Sequence, residues 1–149
     1  MAKRKAELEG RLEILKSETR RKYSKLFNKY DIALCNVDKL AKEIKEDQKT
    51  ISQALNLFIT ETEFLLKSCH LLRKMYNVMR WMKVYCFYND YKVSHDILDF
   101  HEENLEIYTM ELQNLFDTNY KTMKSNLDQE NFKNFKTNLL SVAYKCEQV

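Results

Sequence analysis

The sequence contains no proline and a single glycine, Gly10, in 149 residues. An average chain carries about 7% glycine and about 5% proline, the residues that form tight turns and interrupt helices. Their near absence excludes the glycine-rich loops that bind phosphate groups, and with them the nucleotide-dependent enzymes built on such loops. A chain of this length can bury one core of its own. We therefore predict an all-α fold, an elongated four-helix bundle with a long first helix and no strands.

Long apolar runs and paired cysteines are also missing. No segment approaches the about 18 apolar residues that a membrane span needs, and the basic N-terminus has no apolar signal segment. We expect a cytoplasmic protein, with the nucleus as a further location. The cysteines are separated by 34, 17 and 60 residues without a C-x-x-C pair, which argues against a zinc module and predicts reduced, mostly buried thiols. They are Cys35, Cys69, Cys86 and Cys146.

Charge is unevenly distributed, although the net charge is only +3. Residues 1–30 hold ten Lys or Arg and four Glu, whereas residues 95–118 hold seven Asp or Glu and no Lys or Arg. The two regions can attract each other or two different partners. No basic-region zipper or helix-turn-helix pattern follows the basic residues, so nucleic-acid binding is not expected.

One apolar stripe follows the first third of the chain in steps of three and four residues, from Leu8 to Leu55. This spacing predicts an amphipathic helix from about residue 3 to about residue 57, about 80 Å long. Such a helix is longer than the domain is wide, so it either bends, at KSETRRK or KEDQKT, or projects. We expect residues 1–20 to form a basic helical extension and residues 21–149 to form the bundle.

The second predicted helix begins at FITETEF, with Thr60 as its N-cap, and ends near Asn89. Its last part, RWMKVYCFYNDY, is rich in aromatic residues. Because apolar residues there cover most of a helix circumference, we expect a central helix that is buried on nearly all sides. Alanine at Tyr85 or Phe87 should then lower the free energy of unfolding by about 3–5 kcal/mol.

Two shorter helices complete the prediction. NDYKVS forms a turn, and Ser94 or His95 opens a third helix that runs to about Phe116, with His101 on its buried face and its carboxylates outside. DTNYKTMKSNLD is expected to be a long connection, and a last helix begins at about Asp128. The residues that this last helix should bury are Phe132, Phe135, Leu139, Val142, Ala143 and Cys146.

Histidine and carboxylates lie close together on the third helix, but no Glu-x-x-His pair of the kind found in di-iron bundles occurs. No local pattern of a nucleophile with its base occurs either. We therefore expect no metal, no cofactor and no catalytic residue.

Four stretches carry a resemblance to a known family: YSKLFNKYDIAL, ITETEFLLKSCHLLRKMYNVMRWMKVYCFYN, ILDFHEENLEIYTMELQNLF and LSVAYKCEQV. They resemble the long first helix, the second helix, the third helix and the C-terminal Tyr-x-Cys-Glu stretch of the Ariadne domain. That domain is the helical module that follows the RING1, in-between-RING and RING2 zinc domains of Ariadne-type RBR E3 ubiquitin ligases. The resemblance extends from about residue 22 to residue 146 and consists mainly of packing residues.

This resemblance implies regulation. In this family the Ariadne domain folds back on RING2 and covers the catalytic cysteine that carries ubiquitin as a thioester, and a neddylated cullin–RING ligase releases it. The cysteine arrays of the zinc domains do not occur in this sequence. We therefore expect no ligase activity from this chain, which is at most the accessory domain of an E3 ubiquitin-protein ligase. The expected partners are a RING2-type zinc domain or a cullin–RING ligase.

The resemblance also points to partner-binding residues. The family's inhibitory contacts include a Phe-Glu pair on the first helix and a Glu on the third. In this sequence the pair is replaced by Asn36-Val37 or by Asp38-Lys39, depending on the register, and the third-helix position falls on Met110 beside Glu111. We take Asp38 and Glu111 as the candidate partner-binding residues.

An alternative function follows from the heptad-like stripe between Leu8 and Leu55. Such a stripe is typical of coiled coils. In this interpretation the chain is a scaffold or tethering protein that self-associates through its long first helix.

Overall fold

The computed structural model describes residues 2–89 and 96–149, which form four helical rods without a strand. The helices are α1 (Ala2–Leu55), α2 (Glu63–Asn89), α3 (Asp96–Asn114), α4 (Tyr120–Ser125) and α5 (Gln129–Glu147). A π-helical turn, Leu115–Asn119, joins α3 and α4 into one rod. For the described residues, the predicted four-helix bundle with a long first helix and no strands is confirmed.

Helix α1 is continuous over 54 residues, without a break at either of the two polar stretches where a bend was considered. Its buried residues begin at Tyr30. The stripe residues before that point are exposed: Leu8 is 60%, Leu12 is 51% and Leu15 is 62% accessible to solvent. The reason is that α2, the main neighbour of α1, ends two residues after Phe87, whose ring lies 5.8 Å from the Arg20 guanidinium. The first turns of α1 therefore project beyond the bundle.

The C-terminal end of α1 is determined by Asn56. This residue has a φ of 54°, a left-handed conformation that asparagine tolerates better than most residues. The following residue, Leu57, donates its backbone N–H to the carbonyl of Ser52 at 2.9 Å, which closes the helix in a Schellman-type turn. Gln129 donates from its amide to the Leu55 carbonyl at 2.7 Å, so one otherwise unpaired carbonyl is also satisfied.

Helix α2 begins differently from the prediction. Thr60 lies inside a four-residue 3₁₀ turn, Ile59–Thr62, that leads into α2, so it is not the N-cap. The extended residue before this turn is Phe58, and the carboxylate of Glu61 accepts the Phe58 backbone N–H at 3.1 Å. The Glu61 side chain thus reaches back to the N–H of the residue before the turn, as in a capping box.

The core lies where α2 packs against α1, α3 and α5. Phe64 on α2 meets Phe132 on α5 edge to face, with ring centroids 5.6 Å apart. Helix α5 begins at Gln129, next to the predicted start at about Asp128, and Asp128 is its N-cap because its carboxylate accepts the Asn131 backbone N–H at 2.7 Å. The predicted buried face of α5 is confirmed for Phe132, Phe135, Leu139, Ala143 and Cys146.

The stretch predicted as a long connection is helical instead, since it forms the π turn and α4. Tertiary contacts override its low helix propensity. Tyr120 is 1% exposed and donates its hydroxyl to Asp47 on α1 at 2.7 Å. The Lys124 ammonium binds the carboxylates of Asp47 and Glu43 at 2.7 and 2.8 Å. The expected turn after Asn89 and the predicted helix start at Ser94 or His95 lie outside the described residues.

Candidate functional site

The aromatic end of α2 is not buried on nearly all sides. Trp81 is 59%, Tyr85 is 45% and Tyr88 is 68% exposed, whereas Lys83 and Cys86 are 5% and 1% exposed. The prediction failed because, among residues 2–89 and 96–149, the neighbours of α2 lie on one side of this segment only. The aromatic residues therefore form part of the protein surface.

A buried ion pair occupies the inner side of the same segment. The Lys83 ammonium binds the Glu102 carboxylate of α3, and both side chains are at most 10% exposed. The Tyr30 hydroxyl of α1 donates to the other oxygen of this carboxylate, Oε1, at 3.2 Å. Glu102 therefore connects α1, α2 and α3. The expectation that the third-helix carboxylates lie outside is wrong for Glu102, and His101, expected to be buried, is exposed.

Two tyrosine hydroxyls around this ion pair remain protonated donors. Burial, followed by the negative charge of Glu102, raises the pKa of Tyr30 far above its ordinary value. Burial also raises the pKa of Tyr76 to about 12, and its hydroxyl donates to Gln113 of α3 at 2.9 Å. Both tyrosines thus hold α3 through hydrogen bonds that persist at neutral pH.

A shallow groove of about 200 Å³ opens beside the ion pair, between α1 and α2. Lys83 is one of its lining residues, and its ammonium lies 5.6 Å from the centre of the Tyr23 ring. The residues that line the groove are Tyr23, Ser24, Phe27, Lys83, Val84, Phe87 and Tyr88. Because Lys83 is already held by Glu102, we interpret this cluster as a structural clamp between helices and not as a reactive centre.

Sequence reasoning missed this ion pair, although both residues occupy core positions. Lys83 follows the buried Met79 by four residues and precedes the buried Cys86 by three, which places it on the inner face of α2. Glu102 precedes the buried Thr109 by seven residues on α3. A lysine and a glutamate on the buried faces of two consecutive helices were therefore the sequence signal that could have predicted a buried ion pair.

Of the candidate partner-binding residues, Asp38 is exposed on α1 and already has a partner. Its carboxylate accepts from Arg73 Nε of α2 at 2.9 Å, and both side chains are about half exposed, 51% and 56%. In the alternative register, Val37 is 2% exposed and belongs to the core, so it cannot face a partner. Asp38 and Lys39 are both exposed. A partner can therefore reach both side chains of the pair in the Asp38-Lys39 register.

Glu111 is exposed on α3 near the start of the last turn of the C-terminal helix α5. Burial, then the charges of Glu111 and Glu147, raise the pKa of the Cys146 thiol to about 11. The neighbouring Met110 is 47% exposed. Asp38 contacts α2 and Glu111 faces α5, so the two candidate residues lie at the edges of different helix pairs.

Residues 2–89 and 96–149 contain no group of three His, Cys, Asp or Glu side chains placed to hold a metal ion. Within the same ranges, no helix combines the length and the apolar character needed to cross a lipid bilayer. His95, one of the two histidines that lie close to the third-helix carboxylates in the sequence, is outside the described residues.

Comparison with models of protein families, with curated proteins and with solved structures finds no match to this chain. The resemblance to the Ariadne domain therefore depends on the four sequence stretches given above.

Proposed function

We propose that this chain is a regulatory protein-interaction domain of the Ariadne type, which acts in the ubiquitin conjugation pathway of the cytoplasm or nucleus by inhibiting a RING2-type zinc domain. The observation that supports this proposal is where the four resembling stretches lie on the helices. The four resembling stretches lie on α1, on α2 with its leading 3₁₀ turn, on α3 with the π turn, and on the end of α5. Each stretch thus corresponds to a separate helical rod, in the order that the resemblance implies.

The binding surface in this proposal comprises the exposed sides of α1 and α3 around Asp38 and Glu111. Both carboxylates are exposed. A partner that binds Asp38 must either replace Arg73 or bind the Asp38–Arg73 pair as a unit, because the pair is already formed. Exposed ion pairs contribute at most about 1 kcal/mol, so exchanging Arg73 for a partner cation costs little. The catalytic cysteine in this scheme belongs to the partner.

Isothermal titration calorimetry with the RING2 domain of an Ariadne-type ligase tests this surface. We expect binding by the chain and a loss of affinity of about tenfold or more, about 1.4 kcal/mol, for Asp38→Lys and for Glu111→Lys. Glu46→Lys is the matched control, because it reverses an exposed carboxylate elsewhere on α1. No binding, or equal losses for all three variants, would contradict the proposed surface.

A second candidate function, self-association as a scaffold or tether, is favoured by one specific observation. Leu8, Leu12 and Leu15 lie on one face of α1 and are more than half exposed. Exposed leucines in coiled-coil spacing are typical of helices that bind another helix. A chain that is monomeric by light scattering at every concentration would exclude this function.

A further inference from the structure

We infer that the projecting part of α1, residues 4–19, pairs in antiparallel orientation with the same segment of a second copy of this chain. This inference gives the second candidate function a geometry and does not depend on the regulatory proposal. Three observations carry it: an apolar face that continues from the core, the point at which its intramolecular partner ends, and the charges on either side of that face.

The apolar face of the projection is the face that forms the core further along α1. Leu8, Leu12 and Leu15 continue through Thr19, Tyr23 and Leu26 to the buried Tyr30 in steps of three and four residues. Arg20 lies over Phe87 near the end of α2. On the N-terminal side of Arg20, no other helix among the described residues packs against this face of α1. The face is therefore shaped for helix packing, and it is exposed because α2 ends.

The charges beside this face select the orientation. With Leu8 and Leu15 at d positions and Leu12 at an a position, the flanking e positions are Glu9 and Lys16. In an antiparallel pair centred on Leu12, Leu8 of one copy meets Leu15 of the other, and Glu9 faces Lys16. Because the pair is symmetric, this attraction occurs twice.

The g positions support the same arrangement. They are Arg4, Arg11 and Glu18. The antiparallel pair places Arg4 opposite Glu18, again twice, and its single like-charge contact is Arg11 with its own copy. It also places the two bundles at opposite ends of the paired helices, where they do not collide.

A parallel pair is disfavoured by these residues. There a g residue faces the e residue five positions later on the other helix. Arg4 then meets Glu9, which is attractive, but Arg11 meets Lys16, which is repulsive, and each contact occurs twice. The antiparallel pair thus has more attractive and fewer repulsive contacts.

Sedimentation equilibrium of the full chain across a wide concentration range tests the pairing. Leu15 and Ile14 are neighbours with the same exposure, 62% and 61%, but only Leu15 lies on the apolar face. We expect Leu15→Gln to raise the dimer dissociation constant by about tenfold or more, because the change removes two buried leucines per dimer, and Ile14→Gln to leave it unchanged. A wild-type chain that stays monomeric at every concentration overturns the inference.

Lys16→Glu distinguishes the two orientations at low salt. In the antiparallel pair this change places a second carboxylate opposite Glu9 and weakens the dimer, and adding Glu9→Lys restores the affinity. In a parallel pair Lys16→Glu instead replaces a repulsion with Arg11 by an attraction and tightens the dimer, which would overturn the inference. Binding to RING2 is measured separately with changes at residues 38 and 111, so either proposal can fail alone.

Discussion

Removing one charge from the buried ion pair should be among the most destabilising single changes in this chain. Lys83→Met keeps most of the side-chain volume but leaves the Glu102 carboxylate in the core with the Tyr30 hydroxyl as its remaining partner. Breaking a buried pair in this way costs about 3–5 kcal/mol, because an uncompensated charge remains away from water. Total stabilities of domains are about 5–15 kcal/mol, so the loss is a large part of the whole. At about 2–4 °C per kcal/mol, Tm should fall by about 6–20 °C.

Urea unfolding followed by far-UV circular dichroism measures this loss, and a double variant separates charge from packing. Lys83→Met combined with Glu102→Leu removes both charges, so much of the lost stability should return. The remaining loss should be about 1–3 kcal/mol, because the buried Tyr30 hydroxyl loses its acceptor. The matched control is Lys29→Met. Lys29 also pairs with an α3 carboxylate, Glu106, at 3.6 Å, but the two side chains are 62% and 44% exposed. Its loss should stay below about 1 kcal/mol.

Equal losses for Lys83→Met and Lys29→Met would refute the reasoning, because they would mean that Glu102 reaches water. A double variant as unstable as the single variant would also refute it, since the loss would then arise from packing and not from an unpaired charge.

Three further predictions concern local features of the fold. Asn56→Ala should lower the unfolding free energy by about 1 kcal/mol, measured in urea, whereas Asn56→Gly should not, because glycine adopts a φ of 54° without strain. Burial raises the pKa of the Cys69 thiol from 9.0 to about 11, so the stability from its neutral form is complete below pH 9 and lost as the pH rises through 11. Cys69→Ala should therefore make the fall in stability between these pH values shallower in thermal scans. Tyr85→Ala should cost less than about 1 kcal/mol, since Tyr85 is 45% exposed, whereas Met79→Ala, at a position 1% exposed, should cost about 2–5 kcal/mol; similar losses would place Tyr85 in the core.

Periodicity predicted the helices whose apolar residues repeat regularly along the chain. It gave the buried face of α5, the start of α5 near Asp128 and the extent of α1, but it left open whether α1 bends or projects. Local preference failed at the stretch around Tyr120, where Asp47, distant in sequence, binds the hydroxyl and stabilises a helix that the stretch would not favour alone. No local pattern contains that contact.

The candidate site shows a similar division. The sequence pattern identified the aromatic end of α2 but not which side is exposed, because exposure depends on the neighbours of α2 in three dimensions. Pairing of Lys83 with Glu102 likewise requires that α2 and α3 come together. Asp38 and Glu111 were chosen by resemblance, and the structure adds that both are exposed and that Asp38 already binds Arg73.

The most direct test of the proposed function is the rate at which ubiquitin leaves the catalytic cysteine of an isolated RING2 domain in single-turnover discharge. The RING2 domain, charged with ubiquitin, is mixed with increasing amounts of this chain and followed on non-reducing gels. Inhibition through a covered cysteine predicts a rate that falls with the concentration of the chain, and a smaller fall with Asp38→Lys and Glu111→Lys. A rate that is independent of the chain at every concentration would contradict the proposal.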